Sequence, residues 1–112
     1  MSEEKDCIFC KIARGEIPSE KVYDDGEFFV IRDINPKAPS HLLVIPYDHI
    51  PTLMDVEDTA LIGRLFALIK QVAQGEKVDE KGFRVVHNVR SWGGQLVYHL
   101  HFHVLGGKPL AE

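Results

Sequence analysis

The sequence predicts an α+β domain: a mostly antiparallel five-stranded sheet with one long and one short helix. Three observations lead there. Short runs of β-branched and aromatic residues recur between Pro- and Gly-containing punctuation. A single long segment carries the 3.6-residue apolar period. The segments fall in the order three strands, long helix, two strands, without the strand-helix alternation that builds a parallel sheet. At 112 residues, 45% hydrophobic and 27% charged, the chain is long enough for one core and too short for two, so one domain over residues 1–112 is expected.

The elements follow in chain order. Asp6 is placed to cap a short helix whose apolar positions are Ile8, Phe9, Ile12 and Ala13, with Gly15 to end it and Pro18 to forbid its continuation. Cys7 and Cys10 then lie one turn apart on a shared face. "DDG" is a turn before "EFFVIRD", which gives a hairpin from about Val22 to Asp33. After the Pro-punctuated "INPKAPS", the run "HLLVIP" reads as a buried strand that stops before Pro46. Asp55 or Glu57 starts the long helix, in which Leu61, Ile62, Leu65, Phe66, Leu68, Ile69, Val72 and Ala73 keep the helical period until Gly75. "GFRVVHNV" and "LVYHLHFHVL" are the last two strands, separated by the loop "RSWGG".

Charge and cysteine usage narrow the function. A net charge of −4 with no Lys/Arg-rich run argues against a nucleic-acid or anionic-membrane surface and for a small-molecule or protein partner. "MSEEKD" is polar and acidic, with no apolar run suited to a signal peptide or membrane span, so a cytoplasmic location is expected. In that reducing compartment the chain's two cysteines point to metal binding or redox chemistry before a structural disulfide.

The most informative stretch is "YHLHFHVLGG". On a strand, His99, His101 and His103 project together, with Leu100, Phe102 and Val104 opposite. A merely solvated face would mix Lys, Thr, Glu and Ser. Same-face neighbours on a strand are roughly 6.6 Å apart and the outer pair about 13 Å, against zinc-imidazole bonds of about 2.0 to 2.1 Å. One straight strand therefore cannot converge all three on one ion, and at least one imidazole is left for chemistry. Near pH 7 an imidazole, with its unperturbed pKa of about 6.5, is largely neutral and can attack phosphorus.

"GGQLVYHLHFHVLGG" resembles the signature of the histidine triad superfamily, and "DINPKAPSHLLVIP" with "LGGKP" is similar to its HINT branch, the histidine triad nucleotide-binding proteins. The likeness runs from "CIFCKI" through "LGGKPL". It implies a HIT-like fold, a homodimer joining two sheets across a two-fold axis, binding of purine nucleotides such as AMP, and hydrolysis of nucleoside phosphoramidates, including adenylylated amines, through a covalent nucleotidyl-histidine. No cofactor is implied for the chemical step. By position, the resemblance makes His101 the nucleophile, with its Nδ1 hydrogen on the carbonyl of His99, and gives His103 and His41 the phosphate or the proton relay to the leaving amine. It puts Gly93 and Gly94 close to the anion, with Asn88 and Gln95 as side-chain donors. Asp33 is the implied ribose acceptor, and Ile8, Phe9, Ile17, Ile31, Ile34 and Leu43 are implied around the base.

Some bacterial members and the related galactose phosphate uridylyltransferases carry a structural zinc, whose ligands correspond to Cys7, Cys10, His49 and His99. One departure stands out: many members carry a small hydroxyl residue where this chain has Leu96, which cannot donate a hydrogen bond. Two other readings remain at this point. One is the dinucleoside polyphosphate hydrolase branch of the same superfamily; the other is a nucleotide-binding or protein-interaction module with incidental catalysis.

Overall fold

The computed structural model describes residues 6–111; Met1–Lys5, which carry most of the polar start, and Glu112 lie outside the described residues. The chain forms helix α1 (Ile8–Ala13), strands β1 (Lys21–Asp24), β2 (Phe28–Arg32) and β3 (Ser40–Pro46), helix α2 (Ala60–Gly75), and strands β4 (Phe83–Val86) and β5 (Phe102–Gly106). Two 3-10 turns, Leu53–Asp55 and Ser91–Gly93, fill the longer connections. The five strands make one sheet in the order β1-β2-β3-β5-β4, and every neighbouring pair is antiparallel. This is the α+β architecture expected from the segment order. Among the described residues no helix is long and apolar enough to cross a membrane.

A helix lies on each face of the sheet, so β3 is buried along its whole length and reads as a continuous apolar run. On one face Phe28, Val30, Leu42, Val44, Phe102 and Val104 pack against Leu61, Leu65, Leu68, Ile69 and Val72 of α2. On the other, Phe29, Ile31, Leu43 and Ile45 pack against Phe9 and Ile12 of α1. The short α1 covers only part of its face. His103, paired with Leu43, stands on that side of the sheet.

Four local expectations are corrected. Asp6 does not cap α1; Cys7 is the N-cap, and its Sγ accepts from the Cys10 N–H at 3.3 Å. The sulfur does what a Ser or Asp oxygen ordinarily does there. α2 starts later than Asp55 or Glu57, because Asp55 is spent on the first 3-10 turn, where its carboxylate accepts from the backbone N–H and hydroxyl of Thr52. Strand β3 runs through Pro46. The Tyr47 N–H points to Glu27 on the β2 side, so the nitrogen of Pro46 faces the β5 side, beyond Val44, the last residue paired with β5, and needs no hydrogen.

The fourth correction matters most for the site. β5 begins at Phe102, so His99 and His101 precede the strand that was expected to carry all three histidines. β4 pairs no further than Val86 with His103, and the chain before β5 is held instead by the Leu100 N–H on the Ile50 carbonyl at 2.7 Å and by Gln95 Nε2 on the carbonyls of Pro51 and Val97.

Candidate active site and metal centre

Cys7, which caps α1, Cys10 of α1, His49 just after β3 and His99 just before β5 converge, each offering one ligand atom within 4.8 Å of all the others. His99 Nδ1 lies 3.2 Å from Cys7 Sγ, 3.5 Å from Cys10 Sγ and 3.2 Å from His49 Nδ1, and His49 Nδ1 is 3.3 Å from Cys10 Sγ. A tetrahedral ion with bonds of about 2.0 Å to nitrogen and 2.3 Å to sulfur requires ligand atoms about 3.3 to 3.8 Å apart. The protonation pattern suits ligation as well. His99 Nε2 lies 2.8 Å from the Pro46 carbonyl, so Nε2 carries the hydrogen and Nδ1 turns its lone pair toward the cluster. Burial pushes the His99 pKa down to about 4, which keeps the ring neutral. Two sulfurs and two imidazoles form a donor set for a metal that favours nitrogen and sulfur, unlike the oxygen sites of Mg²⁺ or Ca²⁺. These four residues could hold such an ion.

His99 also faces the second half of the site. Its backbone carbonyl accepts the Nδ1 hydrogen of His101 at 2.7 Å, which leaves the lone pair of His101 on Nε2. The Phe9 ring packs edge to face with His101, centroids 5.1 Å apart and planes 65° apart. Burial lowers the His101 pKa, favouring the neutral, nucleophilic ring.

A chain of hydrogen bonds fixes the other two imidazoles. The Lys37 N–H donates to His41 Nδ1 at 3.0 Å, so His41 Nε2 bears the hydrogen and donates to His103 Nδ1 at 2.9 Å. The hydrogen of neutral His103 is thereby placed on Nε2. Its pKa is pushed down to about 4 by burial and by the neighbouring His101 and His41, and that of His41 is lowered by burial. His101 and His103 have ring centroids 5.2 Å apart, a neutral lone-pair donor beside a neutral proton donor. Asp33, His41 and His103 also cluster, but a metal on His41 Nε2 would need the lone pair where the Lys37 contact places the hydrogen. This trio therefore suits proton transfer better than metal ligation.

The remaining sequence-derived residues fall into three groups. Asp33 Oδ1 accepts from the Asn35 N–H at 2.8 Å, while Oδ2 stands 3.5 Å from His41 Nε2. Phe9, Ile31 and Leu43 are buried in the apolar layer under α1 and Ile17 packs against it, whereas Ile8 and Ile34 are exposed. In the glycine loop, Asn88 Nδ2 donates to the Gly93 carbonyl at 2.7 Å, beside Gly94, whose φ of 80° favours glycine.

Gln95 is a clamp in this structure. Its Nε2 donates to two carbonyls, and its Oε1 accepts from the Arg90 N–H at 2.7 Å. Arg90 has φ 60° and ψ −178°, a conformation costly for any residue but glycine, and the Gln95 side chain helps to hold it. Trp92 and Leu96 project into solvent from the same loop.

In the sequence His87 reads only as part of a strand. The structure places it one residue beyond β4, with Nδ1 at 2.9 Å from the carbonyl of His101 and its ring stacked on Phe102 at 4.0 Å. The only signal was a sixth histidine in the apolar run "VVHNV".

Known proteins resemble this chain in sequence and in fold. The HIT domain family model matches residues 14–110. The chain is 46% identical to a purine nucleoside phosphoramidase of Escherichia coli strain K12 over 112 residues, covering 98% of this chain and 92% of the relative. A solved histidine triad protein from Clostridium difficile superposes with a TM-score of 0.94 at 46% identity, over 99% of this chain and 98% of that one. A HIT family hydrolase from Legionella pneumophila gives a TM-score of 0.91 at 48% identity, over 95% and 96% of the two chains. The histidine arrangement and the family match across most of its length together mean that this chain belongs to the HIT domain family.

Proposed function

We propose that this chain is a purine nucleotide-binding hydrolase that cleaves nucleoside phosphoramidates through a nucleotidyl-His101 intermediate. The observation that carries the reading is the Nδ1 hydrogen of His101 on the His99 carbonyl, which points the free lone pair away from Nδ1 and stabilises the cation formed when Nε2 bonds to phosphorus. The phosphorus-nitrogen bond then breaks, and the departing amine takes the Nε2 hydrogen of His103, whose Nδ1 is held by the Nε2 hydrogen of His41. Water then attacks phosphorus, the bond to His101 Nε2 breaks, and the proton that water loses returns to His103 Nε2 as the nucleoside monophosphate leaves. Asp33 Oδ2, which accepts no backbone hydrogen bond among the described residues, is turned to the ribose hydroxyls in this reading. The name carried by the Escherichia coli relative supports the same substrate class.

The Cys7, Cys10, His49 and His99 cluster is proposed to hold a structural zinc, which when bound supplies a tetrahedral cross-link and no part of the reaction. A cytoplasmic location, where both thiols stay reduced and able to ligate, fits this. Turnover should be compared for an adenosine phosphoramidate, its dideoxyribose counterpart and a diadenosine polyphosphate. The ribosyl phosphoramidate is expected to be the best substrate, and Asp33→Ala to weaken it more than the dideoxy compound. Preference for the polyphosphate, or turnover of neither class, would replace this reading with one of its two rivals.

The assembly proposed is a homodimer. Among the described residues β4 pairs with β5 alone and so forms one edge of the sheet, and Phe66, 42% exposed on α2, lies against Phe102 of the neighbouring β5. An uncovered edge of this kind is normally protected, and a two-fold axis would pair it with its own copy. Light scattering at micromolar concentration is expected to give the mass of two chains; a monomer would refute the dimer.

A further inference from the structure

We infer that His87 is a positioning residue for the nucleophile, using its side chain to continue the β4 to β5 pairing where the strands themselves have stopped. The ladder ends with Val86 opposite His103. His101 lies two residues beyond that pair and outside β5, so among the described residues its peptide has no backbone partner in the sheet at the place where an attacking imidazole must be held still. The Nδ1 hydrogen of His87, which stands just past the end of β4, takes up the His101 carbonyl at 2.9 Å. The ring bearing that hydrogen is itself fixed, stacked on Phe102 with centroids 4.0 Å apart and planes 9° apart. His101 is thus restrained twice: through its ring by the His99 carbonyl, and through its backbone by His87.

Packing alone does not explain a histidine here. While Nδ1 donates, Nε2 is buried without a hydrogen-bond partner among the described residues. Phenylalanine would stack on Phe102 equally well and leave no buried nitrogen unsatisfied. The group that a phenyl ring lacks is the Nδ1 hydrogen. His87 belongs to neither histidine cluster, and the contact it makes with His101 is to the backbone carbonyl, so it acts on the nucleophile by positioning it.

The kinetic part of the test rests on the proposed phosphoramidase activity, and the spectroscopic part does not. His87→Phe keeps the stack and removes the donor, while His87→Asn returns an amide hydrogen to about the place of Nδ1. In His87→Phe the imidazole nitrogen resonances of His101 are expected to shift. Its kcat should fall about tenfold with KM unchanged, as for loss of alignment, and its melting temperature should be no lower than that of the wild type. In His87→Asn the resonances and kcat should return toward wild type. Unchanged His101 resonances in His87→Phe would overturn the inference whatever happens to the rate. If the wild-type protein turns over no phosphoramidate, the activity assignment fails, and the resonances alone still decide the role of His87. Should His87→Phe not fold, His87→Leu, which keeps bulk without a donor, is read in the same way.

Discussion

His101→Ala is expected to lose phosphoramidate turnover by a factor on the order of 10⁴ or more, the range seen when a covalent nucleophile is removed, while AMP binding stays measurable. The expectation comes from the division of labour among the imidazoles. His99 directs Nδ1 at the two sulfurs and His49, His41 gives its Nε2 hydrogen to His103, and His103 is left with a hydrogen on Nε2. Only His101 among these four both keeps a lone pair outside these contacts and has its opposite nitrogen satisfied. Neither neighbour can replace it without giving up a contact. His101→Gly should recover part of the rate when free imidazole is added, because the cavity left is the shape of the missing ring. Turnover of His101→Ala within tenfold of wild type would remove His101 from the nucleophile's role.

Metal content and stability form the second large effect. Protein purified without a metal-affinity tag is expected to carry about one zinc per chain, and the Cys7→Ser/Cys10→Ser variant essentially none. Without the ion, two sulfurs and two imidazole nitrogens remain crowded within 4.8 Å and lose the charge that drew them together. α1 is then tied to the sheet chiefly by its apolar contacts, those of Phe9 and Ile12. A loss of about 3 kcal/mol, modest for a structural zinc site, would lower the melting temperature by roughly 10 °C. Turnover should fall as well, because the residue that ligates through its ring also holds His101 through its carbonyl. Elemental analysis and thermal melts on both proteins check this. Metal-free wild type, or unchanged zinc in the double variant, would defeat the assignment.

Much of the fold was legible because the periodicities are local. Ala60–Gly75 announces itself by the helical spacing of Leu61, Leu65, Leu68, Ile69 and Val72, and all five are buried against the sheet. The runs "FFVIR" and "HLLVIP" are apolar at every position except at their ends because helices cover both faces of β2 and β3. Boundaries were less legible because they depend on competition for side chains. Asp55 looks like a helix cap until Thr52 claims it, and Asp6 looks like one until the Cys7 sulfur takes the position.

What the sequence determined by itself was the inventory of chemistry and its coarse placement: cysteines in the first helix, alternating histidines beside the last strand, glycines just before them, and an order of segments that yields an antiparallel sheet. The tertiary structure alone decided what each imidazole can do. A histidine acts according to which nitrogen holds its hydrogen, and that follows from the oxygen or N–H that the fold sets against the ring. The carbonyl of Pro46 selects Nδ1 of His99 for the sulfur cluster, the N–H of Lys37 sends the hydrogen of His41 toward His103, and the peptide of His101 gives His87 a partner. Two of these partners are far away in the chain, and in all of them the contact depends on where strands end and how loops turn, which no local period records.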